Sequence, residues 1–71
     1  MTNFKRKILN CEITQEYLAK IAGKTRMTIH THVHNTENLK VKDLKKYADI
    51  INECIEKNKI PESKISWYEL V

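Results

Sequence analysis

One glycine and one proline among 71 residues leave this chain very few places to turn sharply. An all-β sandwich or barrel needs turn signals at roughly every 8–12 residues, and glycine and proline are the strongest of them. The scarcity points away from β architectures and toward helices joined by short polar links. Apolar residues make up 41% of the chain and charged residues 31%, a globular mix rather than a disordered one. No apolar run approaches the roughly 20 residues of a membrane-spanning helix. The start, MTNFKRKILN, has no long apolar stretch behind its basic residues and does not read as a signal peptide. The expectation is a single domain, residues 1–71, with a thin core and no large enclosed active site.

Periodicity divides the chain into segments. Asn3 to about Leu9 is a helix candidate, with Phe4, Ile8 and Cys11 on one side and Lys5, Arg6 and Lys7 turned to water or a phosphate backbone. Thr14 stands where an N-cap belongs. Glu16 suits the positive end of the helix dipole, and Ile13 pairs with Leu18 as a hydrophobic staple. The apolar stripe of this second helix reads Leu18, Ile21, Ala22, with Ala19 beside it, and Gly23 follows as a left-handed stop. Thr25 is a second N-cap candidate. Ile29 and Val33 then lie i, i+4 on one side, and Asn35 is a candidate left-handed end to the helix. Asn35 to Lys40 reads as a polar loop anchored by Leu39. From about Val41 to Asn58 runs the clearest periodic stripe: Val41, Leu44, Ala48, Ile51 and Ile55, broadened by Tyr47, Ile50 and Cys54. Pro61 stops or restarts the backbone, and the tail, residues 59–71, is open between a short helix and a strand.

Charge is uneven. Residues 1–37 carry six basic and three acidic side chains, residues 38–71 seven and six. A basic first half suggests an anionic partner, although +4 on a small protein also simply aids solubility. Cys11 and Cys54 stand far apart and in no CxxC pair. They read as buried thiols in a reducing compartment, the alternative being a disulfide between them.

Two short helices around a glycine-led turn form the unit that places a helix in a DNA major groove. Ala19 lets the helices approach, Gly23 permits the turn, and Ile29 anchors the second helix while its opposite face stays free. The stretch ITQEYLAKIAGKTRMTIHTHVHNTENLKVKDLKKYADII, roughly residues 13–55, resembles the lambda-repressor/Cro-like (XRE) helix-turn-helix family. The matching features are Thr14-Gln15-Glu16, Leu18-Ala19, Ala22-Gly23, Thr25-Arg26, Thr28-Ile29 and the helix around Leu44 to Ile51. It departs from the usual pattern at Lys24 and His32, where the family has apolar residues, and at Asn35, where a glycine is common.

The resemblance implies an all-α, four- or five-helix lambda-repressor-like domain with its helix-turn-helix at about residues 14–34 and a core helix at about 41–58. It implies a cytoplasmic, sequence-specific regulator of bacterial or phage origin that binds double-stranded DNA as a homodimer and represses by occupying an operator. No separate ligand-sensing domain is then expected. Gln15 would contact a phosphate or brace a recognition side chain. Thr25, Arg26, Met27, His30, Thr31 and His34 would occupy recognition positions. Lys24, Asn35, Asn38 and Lys40 would flank them against the backbone, with further phosphate contacts from Lys5-Arg6-Lys7. The nearby histidines would charge as pH falls and strengthen binding.

Other readings use the same residues. A protein-interaction module could keep this scaffold without binding DNA. His30-Thr31-His32-Val33-His34 on a strand would present three imidazoles to one metal, whereas on a helix only His30 and His34 share a face. The Val41–Ile55 stripe could be a coiled-coil seam, but it covers only about two heptads, so core packing is favoured. Trp67, Tyr68 and Leu70 either fold back over the core or form a dimer contact. No Gly-rich phosphate loop, HExxH or nucleophile elbow is present. An enzyme is therefore not expected, nor are a cofactor, a resident metal or a small-molecule substrate.

Overall fold

Three threonines start the first three helices. In this computed structural model, which describes residues 2–71 and leaves Met1 outside them, the hydroxyls of Thr2, Thr14 and Thr25 accept the backbone N–H groups of Lys5, Tyr17 and Thr28 at 3.1, 3.0 and 3.2 Å. Each satisfies one donor that an α-helix leaves free at its N-terminus. The helices that follow are α1 (Asn3–Asn10), α2 (Gln15–Ala22), α3 (Arg26–His34) and α4 (Val41–Lys57). Short 3₁₀ turns form at Thr36–Asn38 and Trp67–Leu70, and no strand occurs among the described residues. The domain is all-α.

Helix ends follow one device. Gly23 has φ 70°, and the Lys24 N–H reaches back to the Ala19 carbonyl at 2.9 Å. Glu12 (φ 57°) and Lys59 (φ 52°) repeat this after α1 and α4, with Ile13 N–H on Ile8 O at 2.8 Å and Ile60 N–H on Ile55 O at 3.0 Å. These are three Schellman stops, the last two closed by isoleucine pairs. Asn35 departs from expectation: its φ is −127°, so α3 does not end in a left-handed residue. Instead the buried Thr36 hydroxyl reaches the carbonyls of His32 and Val33 at 3.2 and 3.1 Å, and the Thr2 hydroxyl donates to Val33 O at 2.6 Å.

One apolar cluster joins all four helices. Phe4 and Ile8 enter it from α1, Leu18, Ala19 and Ala22 from α2, Ile29 and Val33 from α3, and Leu44, Tyr47, Ala48, Ile51 and Ile55 from α4. The Phe4 and Tyr47 rings meet at 5.2 Å and a tilt of 55°. The α4 stripe is core, not a free coiled-coil seam, with one exception: Val41 is 45% exposed. Ile21 also departs from its expected place in the α2 stripe and is 47% exposed. Leu39 packs on the cluster as an anchor.

Side-chain clamps tie the pieces. The Lys46 ammonium donates to the Ala22 carbonyl at 3.2 Å, and a cation there also suits the negative end of the α2 dipole. Asn52 grips the tail at both backbone groups of Ile65, accepting its N–H at 2.7 Å and donating to its carbonyl at 2.8 Å. The tail folds back: Ile65 and Leu70 are buried and Trp67 packs against the cluster, while Tyr68 remains exposed. It ends as a 3₁₀ turn rather than a strand. Cys11 and Cys54 are buried and free, with no disulfide between them. Burial, and the Glu62 carboxylate nearby, push the Cys11 thiol up, so it stays protonated at neutral pH.

The left-handed stops predict opposite effects of paired substitutions. Gly23→Ala meets no neighbouring atom, so its cost is backbone strain alone, about 1 kcal/mol. Lys59→Gly relieves the same strain and is expected to raise stability by about 0.5 kcal/mol. Urea denaturation midpoints of the two variants should move in opposite directions.

Candidate functional site

The inner side of α3 is made of Ile29 and Val33, both 0% exposed. With those two fixed in the core, the helical repeat turns Arg26, Met27, His30, Thr31 and His34 outward, and all five are exposed. Met27, at 79%, is the most exposed large apolar side chain among the described residues. From Arg26 to His34 this face runs about 12 Å along the helix axis. The chain covers none of it. Gln15, Arg26, Met27 and His30 line an open depression of about 430 Å³ between the starts of α2 and α3.

Only three residues, Gly23-Lys24-Thr25, separate α2 from α3, and the two helices pack together. Gln15, at the first position of α2, reaches α3: its Oε1 lies 3.3 Å from His30 Nδ1. Gln15 is thus a brace for a side chain on the outer face. His30 and His34 stack one turn apart with ring centroids 4.2 Å apart and a tilt of 48°. Partial desolvation, the adjoining His30 and the Lys5 ammonium lower the His34 pKa.

His32 behaves differently, as expected for a residue half a turn away. It is half-buried, and its Nδ1 lies 2.6 Å from the Tyr47 hydroxyl in the core. Burial, with a smaller push from Asp43, raises the Tyr47 pKa to about 12. Tyr47 therefore keeps its proton at neutral pH, and its hydroxyl and the His32 ring share one hydrogen bond. The HTHVH run is helical, and its three imidazoles do not converge. Among the described residues no three His, Cys, Asp or Glu side chains gather to hold a metal ion.

The remaining expected contacts divide. Lys40, Asn35 and Asn38 are exposed around the end of α3, and Lys24 is half-buried in the turn. Thr25 is committed to its cap: its hydroxyl donates to Thr28 Oγ1 at 2.9 Å while accepting the Thr28 N–H. The Thr31 hydroxyl donates back to Met27 O at 3.1 Å, so it presents a methyl group and oxygen lone pairs outward. Lys5, Arg6 and Lys7 lie in α1, as the periodicity predicts. Lys5 acts on His34, Arg6 is exposed, and Lys7 lies 3.9 Å from Glu62 on another side. The sequence reading missed Thr2, which joins α1 to the end of α3. Its place one residue before α1 was the available signal. No described helix is long and apolar enough to cross a membrane. No family model, no curated protein and no solved structure matches this chain.

The Tyr47–His32 pair predicts a pH signature. A tyrosine titrates near 10 in the unfolded chain and at about 12 here. Its raised value stabilises the fold below about pH 10, and that contribution is lost as pH climbs through 10 to 12. Tyr47→Phe should cost about 1 kcal/mol at neutral pH through the lost hydrogen bond. It should also flatten the decline in stability between pH 10 and 12 relative to the unsubstituted chain, read by denaturant titration across that range.

Proposed function

We propose that this protein is a sequence-specific double-stranded DNA-binding regulator that inserts the outer face of α3 into the major groove and represses by occupying an operator. One observation carries the reading. A nine-residue helix, packed on α2 across a three-residue turn, keeps Arg26, Met27, His30, Thr31 and His34 exposed along one face. A major groove about 12 Å wide admits such a helix. Arg26 then offers a bidentate donor for guanine, and Met27 an apolar tip for a thymine methyl. His30, held by Gln15, offers an oriented ring nitrogen for a base edge. Lys24, Lys40, Asn35 and Asn38 flank this face as backbone contacts, and Lys5 and Arg6 add charge from α1.

The active form in this proposal is a homodimer, so that two copies of α3 read successive half-sites. Support comes from a cleft between α2 and α4. There Tyr17 and Ile21 stand exposed over Ile50 and Cys54, with Glu53 and Lys57 alongside. A two-fold pairing of this surface can set Glu53 of each copy against Lys57 of the other. The tail is the less suited surface, because Trp67 and Leu70 are used within the chain.

Selection of duplexes from a random pool, followed by gel shifts across a salt series, tests the proposal. Arg26→Ala should cost about 1–3 kcal/mol of specific binding with thermal stability unchanged. Lys40→Ala should weaken all duplexes alike and reduce the salt slope by about one. Ile29→Ala should instead lower stability itself by about 2–5 kcal/mol. Only weak, salt-sensitive association without sequence preference would overturn the regulator reading and leave an interaction module.

Protonation adds a further expected trend. Desolvation, the adjoining His30 and the Lys5 ammonium lower the His34 pKa, so His34 gains its charge only at the acid end. Specific binding should tighten as pH falls from 8 to 5, most of the change coming at the acid end. Equal affinity at both values would remove the histidines from the phosphate-facing set.

A further inference from the structure

We propose that His30 and His34 together form a two-imidazole site for a divalent transition-metal ion on the outer face of α3. Four observations converge on it. The two residues are one helical turn apart, so they occupy the same face. Their rings already lie 4.2 Å apart with a tilt of 48°. Two metal–nitrogen bonds of about 2.1 Å require ring nitrogens roughly 3.0–3.4 Å from each other. Both side chains are exposed, so small rotations supply that spacing without disturbing the core.

The third observation is the setting of His30. Its Nδ1 lies 3.3 Å from Gln15 Oε1; an amide oxygen only accepts, so the ring bonded there carries its proton on Nδ1 and keeps the Nε2 lone pair for a ligand. Metal-ligating histidines are held in this manner, their second ring nitrogen donating to an oxygen that fixes tautomer and orientation. The fourth is the setting of His34. It stands exposed at the last position of α3, where it lines an open hollow of about 270 Å³ with Glu37. His32, bonded to Tyr47 in the core, takes no part.

Imidazole nitrogen suits zinc, copper and nickel, whereas magnesium prefers oxygen. Two protein ligands leave the other coordination positions to solvent. An ion bound here adds two positive charges to a face whose one fixed cation is Arg26. That consequence alone rests on the nucleic-acid reading, whereas metal uptake is measured with no DNA present.

The test is calorimetric titration of the tag-free protein at pH 7.5 with Ni²⁺, Zn²⁺ and Mg²⁺, alongside NMR of the imidazole protons during Ni²⁺ addition. Saturation at one Ni²⁺ or Zn²⁺ per chain is expected, with no uptake of Mg²⁺. Paramagnetic broadening should begin at the His30 and His34 rings and spare His32. His30→Ala and His34→Ala should each weaken uptake by more than about tenfold, and Gln15→Ala by about tenfold, all with unchanged circular dichroism. Absence of saturable uptake would overturn the site. So would undiminished affinity in the His30→Ala/His34→Ala double variant, or broadening centred on His32.

Discussion

Two apolar side chains hold the outward-facing helix in place, and the arrangement of the domain follows from that. The segment RMTIHTHVH contains three histidines, two threonines and two further β-branched residues, none of them strong helix formers. Nine such residues would not stay helical alone. Ile29 and Val33, both fully buried, fasten the segment to a core supplied by the other helices. The Thr25 cap at one end and the Thr36 and Thr2 hydroxyls at the other close its free backbone groups. With its structure secured from one side, the other side is released from any structural duty.

The same economy runs through the rest of the fold. The chain lacks strands among its described residues and has only one long helix, so distant segments are tied by side chains gripping backbone. Lys46 holds the end of α2, Asn52 the tail at Ile65, and Asn3 the Val71 carbonyl at 2.7 Å. Each such bond is worth only about 1 kcal/mol net, but each fixes a register that a thin core leaves loose. No buried side-chain nitrogen or oxygen among the described residues lacks a partner. The contact of His32 with the buried Tyr47 hydroxyl helps orient α3 about its own axis, alongside Ile29 and Val33.

Much of this was legible before any coordinates, and the exceptions have physical causes. Thr14, Thr25 and Gly23 are strong local signals, because capping and the left-handed conformation are decided by one residue and its immediate neighbours. Ile29, Val33 and the α4 stripe followed from period alone. Glu12 and Lys59 were invisible as stops, since neither residue type signals the left-handed conformation that each adopts. Ile21 and Val41 fit the stripes of α2 and α4 arithmetically but stand at their edges and remain about half exposed. Among the candidate contacts, exposure was readable from period. That Thr25 and Thr31 spend their hydroxyl protons on α3 itself was not, because local hydrogen bonds compete with any outside partner.

These commitments narrow what the α3 face can recognise. With both threonine protons engaged, the fixed donor left on it is the Arg26 guanidinium, beside the exposed ring nitrogens of His30 and His34. The protruding apolar group is Met27, at the rim of a depression shared with Gln15. Such a surface has too few fixed charges to hold a polyanion by attraction alone, since each neutralised phosphate contributes separately to affinity. Apart from Arg26, the nearby fixed cations, Lys5, Arg6, Lys24 and Lys40, lie around α3 rather than on it. In the proposed DNA-binding reading, charge at the border would hold the duplex, and shape with directional nitrogen chemistry at the centre would read it. The histidine pair sits on that central face, where adding a proton or a metal ion changes the local charge without moving the backbone.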